Sequence, residues 1–244
     1  MPFRSGDRVR INYVCRLKNG ELTASTYRDG AISPEEKRSA IYLALKNDAP
    51  LEWIAGQEKV SQSGSAPFDF ADAIAVQLGQ AVVGQVPGTL SGIEVAAAKA
   101  PVRPSGTIRL AKVRRRPRGL HMTVDEYKGR TGKNPEIGQE MTFDPAIPGK
   151  VTSVSESEVV VDFHAPVGEL IDTPFGRARV SADQNSYLLE ILVEKGDLVR
   201  SGPMVGKVAD VDDAFFTVDY GHPLAGQNLV CDVEVSRGEE SQIP

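Results

Sequence analysis

Apolar and polar residues alternate at period two through much of the chain, which predicts strands before any other feature is considered. In Arg8-Val9-Arg10-Ile11-Asn12-Tyr13-Val14-Cys15-Arg16-Leu17 the residues Val9, Ile11, Tyr13, Cys15 and Leu17 share one face, and Asn19-Gly20 supplies a hairpin turn. The alternation returns over 107–113 and in 229–235, where Leu229, Cys231, Val233 and Val235 share a face. Small apolar residues over 81–103 predict short strands around Pro87-Gly88. Three stretches have helical spacing instead. Ser33-Pro34-Glu35-Glu36 combines a serine cap, a proline at the first helical position and a glutamate that can close a capping box. A helix over 33–46 follows, with Ala40, Ile41, Ala44 and Leu45 as its buried stripe. Phe70, Ala73 and Ile74 predict a second helix over about 68–76, closed by Leu78-Gly79-Gln80. Thr123-x-x-Glu126 opens a third, ending near Thr131 before Gly132 and Asn134-Pro135.

One pattern is copied. Glu136-Ile137-Gly138-Gln139, Ile147-Pro148-Gly149-Lys150-Val151 and Val159-Val160-Val161-Asp162-Phe163-His164-Ala165-Pro166 recur as Glu194-Lys195-Gly196-Asp197, Met204-Val205-Gly206-Lys207-Val208 and Phe216-Thr217-Val218-Asp219-Tyr220-Gly221-His222-Pro223. The offset of about 57 to 58 residues predicts duplication of a small β module. Between the copies, 177–180 and 187–193 read as a further hairpin.

The length of 244 residues accommodates two domains, each with its own core. A net charge of -5 and a pI of about 5.4 make no general case for nucleic acid. Arg114-Arg115-Arg116-Pro117-Arg118-Gly119 invites a phosphate-binding reading, but it has no interleaved aromatics; it reads as a solvated strand end entering an interdomain linker. No apolar run approaches the roughly 20 residues that span a bilayer, and Met1-Pro2-Phe3-Arg4-Ser5 lacks a signal-peptide core, so the expectation is a cytoplasmic protein with no membrane partner. Cys15 and Cys231 lie in strand-like runs without C-x-x-C spacing; buried free thiols are expected, with a disulfide as the alternative. No G-x-S-x-G, H-E-x-x-H, G-x-G-x-x-G or phosphate-loop motif occurs, and only His121, His164 and His222 are available as histidine ligands, so neither metal nor cofactor is expected.

The stretch Val218-Asp219-Tyr220-Gly221-His222-Pro223-Leu224-Ala225-Gly226-Gln227-Asn228-Leu229-Val230-Cys231-Asp232-Val233-Glu234-Val235 resembles the end of FKBP-type peptidyl-prolyl isomerases of the SlyD-like class. Gly6-Asp7-Arg8-Val9 with Tyr13 is similar to the family's opening strand, and Pro50-Leu51-Glu52-Trp53-Ile54-Ala55-Gly56 with Val60 is similar, more loosely, to the strand bordering its pocket. The resemblance implies an α+β fold, mostly antiparallel β, in which a sheet wraps on a short helix and a β-rich flap insertion carries the duplicated module. It implies an FKBP-like domain of 1–116 with 223–238 and an insertion of 117–222. The alternative is two consecutive domains, 1–118 and 119–244. The implied site has Tyr13, Leu51, Trp53, Val60, Phe68 and Phe70 as walls and floor, with His222, Pro223 and Leu224 as rim.

Three departures from the family accompany this. Thr23-Ala24-Ser25-Thr26 replaces a tetrad carrying the pocket's phenylalanine and aspartate. No tyrosine occurs between Tyr42 and Tyr127, where the family's Ala-Tyr-Gly donor falls. The flap is longer and duplicated. The implied function is weak prolyl isomerisation with chaperone-like binding of proline-containing or unfolded clients; the alternative is a non-catalytic FKBP-derived binding or assembly module, such as a subunit of an enzyme complex with a dedicated protein partner. The duplicated region is expected to be the recognition surface, with Val159-Val160-Val161 or Phe215-Phe216 as exposed edge strands.

Overall fold

The last strand of the chain lies between the first and the fourth. In the computed structural model, which describes residues 1–58, 69–100, 106–144 (backbone only at 142–144), 147–173 and 175–238, strand β17 (Leu229–Arg237) pairs antiparallel with β1 (Arg8–Leu17) on one side. On its other side it pairs with β4 (Gly88–Val95). Strands β2 (Leu22–Ser25) and β3 (Leu51–Ile54) complete this sheet by pairing with β1. Apolar residues at every second position put Val9, Ile11, Tyr13, Cys15, Leu229, Cys231, Val233 and Val235 on its buried face. Against that face packs helix α1 (Phe70–Ala81), which contributes Phe70, Ala73, Ile74 and Leu78.

Two compact units result. One comprises Met1–Ile108, Lys195–Ala209 and Thr217–Pro244, and the other Arg109–Glu194 and Asp210–Phe216. These bounds differ from 117–222 for the insertion because the second copy of the module, apart from the turn at its middle, belongs with the N-terminal unit. The fold is mostly antiparallel β, with two α-helices among the described residues.

Cys15 and Cys231 face each other across β1 and β17, with their Cα atoms 4.1 Å apart, and form a disulfide. The expectation of free thiols is thereby corrected: the register, invisible from either strand alone, makes them direct neighbours. The helix expected over 33–46 is also absent. That segment runs past β2, where Leu22 N–H donates to Lys37 O and Ser39 N–H donates to Leu22 O, both at 2.9 Å, so a sheet edge takes the backbone groups a helix would have used. Of the four stripe residues only Ile41 is buried. Helix α1 does not close at Gly79 but continues to Ala81; Gly79 is the point where the Trp53 indole lies on the helix backbone, and a Cβ there would collide with it.

The remaining strands form three sheets of one topology. The first is β7 (Gly119–Met122), β10 (Val159–Phe163), β9 (Ile147–Val154) and β8 (Glu140–Asp144), in that order. The second is β6 (Val113–Pro117), β13 (Ser186–Ile191), β12 (Gly176–Ala182) and β11 (Leu170–Thr173). The third is β5 (Thr107–Ala111), β16 (Phe215–Asp219), β15 (Met204–Val211) and β14 (Leu198–Ser201). The module is therefore present three times, and the hairpin expected between two copies is the middle one.

The same hydrogen bonds recur in each. Gly138, Gly168 and Gly196 donate to Val151, Val180 and Val208 at 2.8, 2.9 and 2.8 Å, and those valines donate back to Gln139, Glu169 and Asp197. All three glycines hold positive φ, at 90°, 90° and 104°. The closing strands repeat the buried triplets Val159, Val161, Phe163; Tyr187, Leu189, Ile191; and Phe216, Val218, Tyr220. One extended segment supplies the outer strand of every sheet. Its carbonyls at Gly106, Lys112 and Arg118, every sixth residue, accept from Tyr220, Ile191 and Phe163.

Two further expectations change here. Val159-Val160-Val161 and Phe215-Phe216 lie in inner strands, each flanked on both sides, so they are not edges. The arginine cluster is strand β6, not a linker: Arg114 lies over the Phe175 ring at 4.0 Å, Arg118 over Tyr187 at 5.2 Å, and Arg115 pairs with Asp183 at 2.9 Å. Helix α2 (Val124–Thr131) forms as expected, with a capping box between Thr123 and Glu126 and Gly132 as its left-handed cap.

A Cβ at Gly149 would meet Phe163 at 2.7 Å and Val161 at 2.9 Å, and one at Gly206 would meet Val218 at 2.5 Å and Tyr220 at 2.8 Å. The middle module has Ala178 opposite Ile191, a smaller partner that leaves room for the methyl. Gly149→Ala is therefore expected to destabilise by about 1–3 kcal/mol in urea unfolding, with most of the loss recovered on adding Phe163→Ile. Replacing Cys15 and Cys231 together by alanine is expected to cost on the order of 2–5 kcal/mol, because the bond closes a separation of 216 residues; an unchanged thermal midpoint would exclude that contribution.

Candidate functional site

The elements that would carry the implied pocket meet at the start of α1. Asp69 caps the helix, its carboxylate accepting from Asp72 N–H at 2.7 Å, and this fixes the direction in which Phe70 leaves the first turn. Phe70 is 2% exposed and Tyr13 of β1 is 8% exposed, within one apolar cluster. The turn before β17 brings the third member. Ala225 N–H donates to His222 O at 2.8 Å and Gln227 N–H to Leu224 O at 2.9 Å, with Ala225 and Gly226 at φ 52° and 70°. This tight path buries Leu224 to 1% exposure in the cluster of Tyr13 and Phe70, while His222 stays exposed and Pro223 is buried.

Leu51 and Trp53 pack at the margin of the same cluster, both half-buried. Trp53 spans the gap to Gly79, and its indole nitrogen is buried without a hydrogen-bond partner among the described residues. Val60 and Phe68, the other two residues expected in the site, lie outside the described residues. The structure thus brings Tyr13, Leu51, Trp53, Phe70 and Leu224 together, and leaves His222 at the surface.

Two charged residues at this place were not anticipated: Asp69 and Arg200 of β14. Arg200 Nε donates to Ile41 O at 2.7 Å, and its guanidinium lies 5.4 Å from the centre of the Phe70 ring. Burial pulls the Arg200 pKa below the usual guanidinium value, opposed by the charge of Asp69. Burial, and secondarily the Asp69 carboxylate, pushes the Tyr13 phenol up to about 12. The Tyr13 backbone is held by Thr26, whose hydroxyl accepts from Tyr13 N–H at 2.8 Å. The tetrad 23–26 thus contacts the Tyr13 backbone through the Thr26 hydroxyl and has no aromatic or carboxylate of its own. Asp69 was detectable as the first residue of Asp69-Phe70-Ala71-Asp72, a capping pattern; Arg200 becomes visible only when the three modules are superposed in sequence.

Chemically the arrangement is a buried aromatic and aliphatic cluster with a phenol, a carboxylate and a guanidinium close by. Among the described residues no group of three His, Cys, Asp or Glu side chains is placed to hold a metal, and no helix is long and apolar enough to cross a membrane. In comparisons with known proteins, no family model and no curated sequence matches the chain.

The folded phenol of Tyr13 stays neutral where an unfolded tyrosine, with a pKa near 10, ionises, so the unfolded state releases the proton first. Stability present below pH 10 is accordingly expected to fall between pH 10 and about 12, and less steeply in Tyr13→Phe. Denaturant midpoints across that window check this; identical pH slopes for the two proteins would remove Tyr13 as the cause.

Proposed function

We propose that the protein is an FKBP-like, SlyD-like peptidyl-prolyl cis-trans isomerase that binds proline-containing or unfolded polypeptides and catalyses weakly. The observation that carries this reading is the placement of Leu224, from the Gly221-His222-Pro223-Leu224-Ala225-Gly226 turn, in one buried cluster with Tyr13 and Phe70 immediately before the strand that enters the N-terminal sheet.

The mechanism needs no ionising catalyst. The prolyl amide is held planar by resonance, with a barrier of about 18–20 kcal/mol. A water-poor surface that accepts the pyrrolidine ring favours the twisted imide over the planar one, because the twisted form has lost charge separation and with it solvation. Phe70, Tyr13 and Leu224, buried in one cluster, are the side chains that would supply that surface once the cluster opens to a prolyl ring. Asp69 stands beside the tyrosine where the tetrad 23–26 offers no carboxylate, and Arg200 offers a donor in a chain with no tyrosine at the family's donor position.

A missing hydrogen bond to the bound prolyl carbonyl is worth about 0.5–1.5 kcal/mol, up to roughly tenfold in rate. Measurable turnover in a protease-coupled proline-peptide assay, below that of an isomerase with the full aromatic pocket, is the expected result, with Phe70→Ala abolishing it. No acceleration over the spontaneous rate by the folded protein would select the non-catalytic binding module instead. The Cys15–Cys231 bond bears directly on a cytoplasmic location, since structural disulfides persist in oxidising compartments; thiol trapping in freshly lysed cells gives two free thiols for a cytoplasmic protein and an intact bond for one in an oxidising compartment.

A further inference from the structure

The cluster that holds Tyr13 and Phe70 is closed, both side chains being buried, so a ligand reaches it only when some element moves. Tyr13 is fixed within β1 and Phe70 in the first turn of α1, each by the backbone bonds of a regular element. Leu224 is placed differently: it enters the cluster from the turn that joins β16 to β17. Pro223, Leu224 and Ala225 are buried there, whereas His222 and Gly226 on either side of them are exposed.

This turn is anchored at its two ends and not between them. Tyr220 N–H donates to Gly106 O at 3.0 Å. At the other end the Asn228 side chain donates to Glu94 Oε1 at 2.8 Å and accepts from Ala97 N–H at 2.9 Å. Among the described residues, the hydrogen bonds of 221–227 all stay inside 219–227: Gly221 N–H to the Asp219 carboxylate, Ala225 N–H to His222 O and Gln227 N–H to Leu224 O. Ala225 has φ 52° and is the one non-glycine among the described residues with positive φ. That conformation crowds the Cβ of an L residue against the following carbonyl oxygen, so closure of the turn sets burial of Leu224 against strain at Ala225.

We infer that residues 221–227 form a lid on the site, which opens by withdrawing Pro223, Leu224 and Ala225 from the cluster while Tyr220 and Asn228 stay anchored, and that an X-Pro ligand is taken only by the open form. The inference rests on the isomerase reading for the ligand, and it adds the element that controls access. Leu224 closes the cluster by burying apolar surface, and the strained Ala225 keeps that closure shallow. Because the ligand binds the open form alone, its apparent affinity scales with the fraction of molecules that are open. A substitution that relieves the strain therefore holds the lid shut and weakens binding, the reverse of what a stabilising change does at a rigid site.

The test uses the full chain, with hydrogen exchange of assigned amides as the readout of the lid and a fluorescein-labelled Ala-Leu-Pro-Phe peptide as the probe of the site. In the parent the Ala225 and Gln227 amides are expected to exchange at least about tenfold faster than the amides of β17, and with little dependence on dilute urea, since opening a turn exposes little surface. Ala225→Gly removes the strained Cβ in a conformation that glycine adopts freely. It is expected to slow exchange at Gln227 roughly two- to fivefold and to weaken probe binding, read by fluorescence anisotropy, by a similar factor. Saturating probe is expected to speed the Gln227 amide in both proteins. A turn that exchanges with the rate and urea dependence of β17, or a Gln227 amide no slower in Ala225→Gly than in the parent, overturns the lid. Slower exchange in the variant without probe binding by either protein keeps the lid and rejects the isomerase reading; turnover and probe binding unchanged by Ala225→Gly keep that reading and reject the lid.

Discussion

The insertion of β17 between β1 and β4 is the constraint on which the N-terminal unit depends. Without it β4 has no partner in the sheet, and the buried face loses Leu229, Cys231, Val233 and Val235 together. Pairing strands so distant in sequence carries a loop-closure cost that grows only with the logarithm of length, so the long intervening chain is tolerated once the pairing buries this much apolar surface. The cross-strand disulfide removes the same closure freedom from the unfolded chain. It also sits where a register error would be most damaging, since a one-residue slip would turn Leu229, Cys231, Val233 and Val235 away from the buried face.

The three modules follow a different logic. Each is too small for much of a core, and each is specified by a short set of local bonds: a glycine with positive φ, a reciprocal pair of hydrogen bonds to a valine, and three alternating apolar residues in the closing strand. The shared outer segment then presents one carbonyl every sixth residue. Its charge and Pro117 suit an outer strand, because an arginine-rich edge with a proline resists pairing with another chain. The basic run thus has a structural account in edge protection and in the aromatic rings beneath Arg109, Arg114 and Arg118.

Strong periodic strands and the capping box at Thr123 were legible from residue pattern alone, whereas the return of the last strand to the sheet was legible only through the family resemblance. Those signals are local, or, for β17, rest on an uninterrupted alternation over seven residues. The triplication looks like a duplication in sequence because the offset of about 57 residues is two steps of about 28 to 29. The middle copy hides itself by replacing Gly149 and Phe163 with Ala178 and Ile191, a coupled change that preserves packing while erasing the visible motif. The helix expected over 33–46 failed for the opposite reason: Ser33-Pro34-Glu35-Glu36 is a good start signal, but a neighbouring strand outbid the helix for backbone partners. The disulfide was invisible because register is a property of the pair of strands and not of either one.

Arg200 shows why a repeat makes its specialised positions readable. The ladder of a module cannot vary without loss of the fold, so all three copies keep the same hydrogen bonds and bury an apolar residue at each core position of the closing strand, although its identity changes from copy to copy. The outer face carries no such requirement, and a cross-strand pair of opposite charge such as Asp172 and Arg177 is the inexpensive occupant of an exposed position. Replacing that pair by an arginine and a valine would expose an apolar side chain if the face were solvated, and would leave a cation without its partner. The change is favourable only where valine meets an apolar core and arginine meets a carbonyl and an aromatic ring. Both conditions hold at Ile41 and Phe70, and nothing in the module's own packing calls for either residue. The third copy is therefore distinguished from its sisters by what it docks against, and its docking residues converge on the first turn of α1.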